Sequence, residues 1–420
     1  MRVAPGSNWA GTHDYAARGV VTPRTAEEVA DAVRSGTRVK ALGSRHSFND
    51  IADSSGELIS LERLTGHPVV DPTRRRVTVP AGVRFAELAV QLEAEGLALH
   101  NLGSLPHISV AGAIATGTHG SGRRNGNLSS AVAGLQLVTG SGDLVTVERG
   151  DADFDGFVVS LGALGIVTAV ILDVQPSYQV RQDIYLDLPW DAVLDEFDAI
   201  MSSAYSVSLF TDWTGETLKQ AWVKSRMDAA PELPESFFGA RPAGDAVMSP
   251  AGDDLDNTTA QGGVPGPWFE RLPHFRADVT PSAGDEIQTE YFVDVADAVE
   301  AIKAVRALDD RIAPALLVTE LRTVASDRLW LSPAFARDSL AIHFTWFNRP
   351  GDVRALLPLI EEALAPFAPR PHWGKWFSLD AEQIAPQYDR LEEFRALAER
   401  LDPAHRFRNA YLERVLGLPD

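Results

Sequence analysis

The sequence predicts an α+β protein made of two or three units, and three observations carry that prediction. The chain has 420 residues, too many for a single ordinary core. Up to about residue 175, helical and strand patterns alternate. From about residue 180 to 375, strand-like runs dominate with helices between them, the pattern of a mainly antiparallel sheet.

Thr25 and Glu28 predict a capping box that opens the amphipathic run EEVADAVRSG, with Gly36 as its end. VKALG, ELISL and RRVTVPAG read as strands. FAELAVQLEAEG reads as a second helix, stopped by Gly96. GLQLVT and LVTVER, joined by GSGD, read as a hairpin. FDGFVVSLGALGIVTAVILDVQP reads as a short helix, a glycine-marked turn and a long buried strand. Residues 101–130 are rich in Gly, Ser, Thr and Ala and have no clear period. A stretch of this length inside a compact unit is functional or disordered. Its apolar residues Ile108, Val110 and Ile114 argue for order.

In the second unit YSVSLFTDW, KQAWVKS, EIQTEYFVD, PALLVTELRTV, LAIHFTWF and HWGKWFS read as strands, and VADAVEAIKAVRALDD as a helix. Residues 228–266 are dense in Pro, Gly, Ala and Asp and read as a long excursion. The tail, YDRLEEFRALAERLDPAHRFRNAYLERVLG, reads as helical and then extended. No solenoid repeat is present in the sequence.

A hydrophobic fraction of 45% and a charged fraction of 23% fit a soluble globular protein. The absence of cysteine excludes disulfides, thiolate metal sites, iron–sulfur clusters and a cysteine nucleophile. MRVAPGSNWAGTHDY has no signal-peptide core, and no apolar run approaches the ~20 residues of a membrane span. The expected location is the cytoplasm. A net charge of −20 argues against nucleic acid and against a membrane surface. Lysine occurs five times, at positions 40, 219, 224, 303 and 375.

The common nucleotide motifs fail. GSGRRNG is not G-x-G-x-x-G, and neither a P-loop nor H-E-x-x-H occurs. Two small-residue loops remain, GSRHS at 43–47 and GTHGSG at 117–122. Converging backbone N–H groups in such loops form anion nests, and a pair could hold a pyrophosphate. His46 then reads as an exposed loop residue, a phosphate donor or a covalent tether.

Strand alternation puts Glu320 and Arg322 on one face, flanked by Val318 and Val324. This is either a structural ion pair or part of a site. His343 and Thr345 share a face opposite Ile342, Phe344 and Trp346. Lys375 lies between Trp373 and Phe377 on one face of an extended run. A desolvated lysine handles protons, or it snorkels at a seam between units. Together the Glu, Arg, His and Lys suit a polar, uncharged ligand with many hydroxyls. No cluster has metal-ligand spacing, so no metal is expected.

VKALGSRHSF, GSLPHISVAGAIATGTHGSG, SLGALGIVTAV and LDPAHRFRNAYL, in this order and spacing, resemble the vanillyl-alcohol-oxidase family of flavoproteins. The likeness spans most of the chain. PHISVAG, VPGPWFERLPHFR, TELRTV, HFTW and RPHWGK resemble its polyol-oxidising members. The resemblance implies an α+β fold with a two-subdomain FAD-binding domain, residues 1–178 completed by 378–420. Residues 179–377 would form a substrate domain with a mainly antiparallel sheet.

It further implies that His46 is bonded to the flavin 8α-methyl. Gly43, Ser44, Arg45, Ser47, Phe48, Gly103, Ser104, Ser109, Gly112, Gly117, Thr118, His119, Gly120, Ile166, His372 and Lys375 would complete the FAD site. Ser104, Glu320, Arg322, His343, Thr345 and Lys375 would bind substrate, with His343 and Lys375 catalytic. The implied reaction oxidises the terminal C1 hydroxyl of polyols such as xylitol and sorbitol to the aldose. Hydride passes to flavin N5, and O2 is reduced to H2O2. The rivals are a sugar-1,4-lactone oxidase or dehydrogenase and a non-enzymatic flavin- or sugar-binding protein. The expected partners are the polyol and O2, and the expected state is a monomer. Some members carry Gly where Arg45 stands and Ala where Gly103 stands.

Overall fold

The computed structural model describes residues 4–229, 236–244, 246–250, 255–279 and 285–419. Two sheets organise the first 176 residues. Gly19–Val21, Glu57–Ser60 and Val39–Leu42 form a parallel three-stranded sheet with Glu57–Ser60 in the middle. A five-stranded antiparallel sheet runs Val69–Asp71, Arg76–Pro80, Ile166–Asp173, Val132–Val138, Leu144–Glu148. The helices Ala26–Ser35 and Phe85–Ala94 bury their apolar faces against the same core. Val29, Val33, Leu88 and Leu92 recur at helical spacing on those faces and are sealed from solvent.

Leu97–Ala98 and Gln175–Pro176 pair as a short antiparallel ribbon, and the strands from Gln179 onward form a mainly antiparallel sheet, nine-stranded among the described residues. Its centre runs Gln179–Pro189, Thr217–Arg226, Ser206–Thr211, Leu316–Val324, Ser339–Phe347, Glu286–Asp294. Register fixes the site. Glu320 lies opposite His343, and His343 lies opposite Glu290. Directly paired residues point to the same face. A carboxylate, an imidazole and a carboxylate therefore form one row across three strands.

Several expectations need correction. HWGKWF is not a strand. The strand Arg370–Pro371 gives way at His372–Lys375 to a turn in which the Lys375 N–H donates to the His372 carbonyl at 3.0 Å, and Trp376 returns to the sheet by a single bridge to Thr289. The tail is not extended after its first helix. A second helix covers Ala410–Leu416, capped by the Asn409 side chain and ended by Gly417 at φ +61°. Residues 101–130 contain the helix Val110–Ala115, too short for its sequence to reveal a period. At Thr25 half of the capping box forms: the Thr25 hydroxyl accepts from Glu28 N–H, and the Glu28 carboxylate accepts from Arg24 N–H. The excursion at 228–266 falls partly outside the described residues. Its described parts return to the large sheet, where Arg241–Pro242 and Gly266–Pro267 both pair with Gln179–Pro189.

Lys40 joins the end of the chain to its beginning. It is fully buried on the strand Val39–Leu42, and its ammonium donates to the carbonyls of Leu161, Gly162 and Phe407 at 3.1–3.2 Å. Burial pushes its pKa down to about 7, with Arg408 adding to the effect.

Candidate active site

A single cavity of about 520 Å³ is lined both by the 43–48 loop and by the row on the large sheet. The Lys375 turn closes the gap between them. Phe48 N–H donates to the Gly374 carbonyl at 2.7 Å, and Asn49 donates to the carbonyls of Trp373 and Lys375 at 2.8 and 2.7 Å.

The turn aims Lys375 at the row. Its ammonium donates to Glu290 Oε2 at 2.7 Å and to His343 Nδ1 at 2.6 Å. Arg322 Nη2 donates to the other oxygen of Glu290 at 2.7 Å. Glu290 is buried, which raises a carboxyl pKa, yet Lys375, His119 and Arg322 together hold it well below the ordinary range. Glu320 behaves alike. Burial opposes its charge, but Arg322 and His274 outweigh burial and keep it ionised. His343 is pushed down to about 4 by burial and then by Lys375. It is thus neutral at neutral pH. With Lys375 donating to Nδ1, the imidazole hydrogen sits on Nε2 and points at the Thr345 hydroxyl, 3.0 Å away.

Sequence reasoning placed Glu320, Arg322, His343 and Thr345 on strands, and all four meet in the cavity wall. Lys375 joins them from a turn, so the four charged or basic groups come from two strands and a turn. Ser104 completes the group, its hydroxyl accepting from Arg322 Nη1 at 3.4 Å. Two residues were missed. Glu290 is the shared counter-ion of the site, and His274 donates from Nε2 to Glu320 Oε1 at 2.7 Å. The alternation of Glu286, Gln288 and Glu290 along one strand was the only sequence signal for the former.

On the other side of the cavity, Gly43, Ser44, Arg45, His46, Ser47, Phe48, Gly103, Gly112, Thr118, His119 and His372 line the wall. Ser109, Gly117, Gly120 and Ile166 do not. Ser109 stands behind the wall, where a Cβ on Gly43 or Gly112 would strike its hydroxyl at 2.6 or 2.8 Å. A Cβ on Gly120 would strike the Leu102 carbonyl at 2.3 Å, and Gly117 turns the chain at φ +65°. Ile166 points into the core, and its neighbours Gly165 and Val167 face the cavity in its place. Arg45 adopts φ +65°, and its guanidinium donates to the carbonyls of Pro5 and Ser7, pinning the N-terminal segment. Beside Gly103 an alanine methyl would make ordinary contacts at 3.5 and 3.7 Å.

His119, Glu290 and His372 bring potential ligand atoms within 4.8 Å of one another. Arg322 and Lys375 already neutralise that carboxylate, so a divalent cation would meet two fixed positive charges. His119 Nε2 lies 3.2 Å from Glu290 without hydrogen-bond alignment.

A flavin dinucleotide fits these residues. His46 Nδ1 is buried with no hydrogen-bond partner, its imidazole stacks on Trp9 at 5.3 Å, and burial pushes its pKa down to about 4. A neutral imidazole with a free nitrogen faces a glycine-lined cavity with space for a large planar group.

Comparison with known proteins agrees. A family profile described as FAD binding domain matches residues 17–148, and one described as D-arabinono-1,4-lactone oxidase matches residues 285–415. Alditol oxidase of Streptomyces sp. is 49% identical over 98% of both chains. L-gulono-1,4-lactone dehydrogenase of Mycobacterium tuberculosis is 31% identical over 98% of this chain and 99% of its own. The fold is that of cholesterol oxidase from Brevibacterium sterolicum, with a TM-score of 0.78 at 14% identity, over 99% of this chain and 97% of that one. Fold and site define an FAD-dependent oxidoreductase. The chain belongs to the vanillyl-alcohol-oxidase family of flavoproteins, in the branch that holds alditol oxidase. Among the described residues no helix is long and apolar enough to cross a membrane.

Proposed function

We propose that this protein is an alditol oxidase that converts the terminal carbinol of a polyol to an aldehyde and transfers the electrons to O2. The observation that carries this reading is the Lys375–His343 contact at 2.6 Å, set between two ionised carboxylates in the cavity wall. In this reading residues 1–178 and 378–420 hold FAD, attached through His46, and residues 179–377 hold the polyol. The reading includes a cytoplasmic monomer, for which a cysteine-free chain is suited.

FAD held by these residues would supply the hydride acceptor and the path of the electron pair to O2, giving H2O2. The chain's residues do the rest. A hydroxyl inserted between Lys375 and His343 replaces their direct hydrogen bond: it accepts from Lys375 Nζ and donates to the Nδ1 lone pair so released. His343 takes the O1 proton as hydride leaves C1, and the Lys375 ammonium stabilises the charge that develops on O1. Glu320, Arg322, Ser104 and Thr345 hold the remaining hydroxyls. Glu320 accepts and Arg322 donates, so neighbouring hydroxyls of an uncharged chain find both partners.

Xylitol is the first substrate to test. The expected result is oxygen uptake matched by equal H2O2 and aldose, from a protein whose yellow colour stays in the acid-precipitated pellet. Uptake with an aldonolactone and none with xylitol overturns the substrate. Dye reduction without oxygen uptake overturns the oxidase. Release of all FAD into the acid supernatant overturns the tether at His46.

Glu320→Ala is expected to raise the Kd for xylitol about 10- to 100-fold, as loss of a hydrogen bond to a charged group does. Its limiting rate of flavin reduction should stay much closer to that of the parent. Stopped-flow reduction at varied xylitol separates the two, and an unchanged Kd contradicts the binding role.

A further inference from the structure

Beside Glu320 lies a pair of buried groups that the reaction does not use: His274, which shares the cavity wall with Glu320, and Lys224 behind it. Lys224, on the strand Thr217–Arg226, is 1% exposed, and His274 is 5% exposed. Lys224 Nζ contacts the carbonyls of Leu272 and Pro273 at 2.6 and 3.2 Å and His274 Nδ1 at 3.0 Å. Burial pushes the Lys224 pKa down to about 7, and in its protonated form these three partners take all three of its hydrogens. Carbonyls only accept, so the third hydrogen goes to Nδ1. With Nδ1 accepting, the neutral imidazole carries its hydrogen on Nε2, which donates to Glu320 Oε1 at 2.7 Å.

The imidazole is fixed in other ways too. Its ring meets Phe210 and Trp222 edge to face at 5.6 and 4.9 Å. The N–H groups of His274 and Phe275 donate to the Ser104 carbonyl at 3.1 and 3.2 Å, joining this loop to another substrate contact. Burial, followed by Lys224, pushes His274 down to about 4, so it stays neutral. One oxygen of Glu320 is thereby occupied. Among the described residues the other meets only Arg322 Nε, at 3.5 Å.

We propose that Lys224 and His274 are positioning residues that hold Glu320 with one oxygen engaged and the other turned to the polyol, and so set affinity for the hydroxyls beyond C1. The proposal rests on the alditol oxidase reading for the nature of the ligand. The chain of contacts, Lys224 to His274 to Glu320, makes it specific. Lys224 selects the imidazole tautomer, the tautomer supplies a donor, and the donor orients the carboxylate.

The test uses flavin-loaded protein and anaerobic stopped-flow reduction by xylitol. His274→Leu is expected to raise Kd about tenfold and to change the limiting reduction rate less than about threefold. His274→Gln restores a donor and is expected to recover most of the affinity. Lys224→Met is expected to weaken Kd in the same sense, and the double variant Lys224→Met, His274→Leu to be no weaker than His274→Leu alone. Unchanged affinity in His274→Leu, no recovery in His274→Gln, or additive losses in the double variant each overturn the proposal. If His274→Leu does not fold, the His274→Gln and Lys224→Met arms decide. The parent's own response keeps the two claims apart. A parent reduced by an aldonolactone and not by xylitol defeats the function, and the same variants are then measured with the lactone.

Discussion

Alanine at Lys375 is expected to slow reduction of the bound flavin by xylitol roughly 10²- to 10³-fold, the usual cost of losing a preorganised charge at a developing oxyanion. Lys375 makes two bonds at once, to Glu290 and to His343, and its removal changes both. The developing O1 charge loses its donor. His343 loses the cation that helps to hold its pKa near 4 and keeps Glu290 at 3.7 Å, so its pKa rises. A base works only while unprotonated. The acid limb of the rate profile should therefore move upward from about pH 4 in the variant, while burial, the larger cause, still holds it down. Flavin content, read from the visible spectrum, should be unchanged. Near-normal reduction kinetics in both Lys375→Ala and His343→Ala would remove the assignment of this pair.

Glu290→Ala carries the second large effect, and it falls first on stability. This carboxylate is the common partner of Lys375 and Arg322, and it is 1% exposed. Removing one member of a buried ion pair leaves a buried charge uncompensated and costs about 3–5 kcal/mol. The variant should unfold at markedly lower temperature or denaturant, and the protein that does fold should reduce its flavin slowly, because Lys375 is no longer anchored. The pH dependence has a definite sign. The folded pKa of Glu290 lies far below its ordinary value of 4.5, so its stabilising contribution is full above pH 4.5 and is lost as pH falls below that. The gap in melting temperature between parent and variant should be wide at neutral pH and narrow in acid. A constant gap across that range would mean that packing, not charge, is what Glu290 supplies.

Much of this site could be read from the residues because strand alternation is a simple rule. In PALLVTELRTV and LAIHFTWF it placed Glu320, Arg322, His343 and Thr345 correctly from sequence. Lys375 stood out through the scarcity of lysine, although its aromatic neighbours mimicked a strand where the chain turns. Glu290 could not be singled out. Its importance comes from register, which sets it opposite His343, and register between distant strands is not written in either strand alone. His274 was hidden for a similar reason. It sits in a proline-rich stretch with no period, and only the folded chain brings it to Glu320 from 46 positions away. The second helix of the tail was legible in principle, since Asn409 caps it and Gly417 ends it.

The Lys40 contact has a consequence for the order of events in the cell. Its ammonium donates to carbonyls at 161, 162 and 407, and the last of these is made 367 positions after the lysine itself. The His46 loop, which follows Lys40 directly, emerges from the ribosome long before that last carbonyl. The hydrogen bonding of Lys40 is complete only once the segment around Phe407 has been made, so the strand that leads into the His46 loop is finished by the last part of the chain.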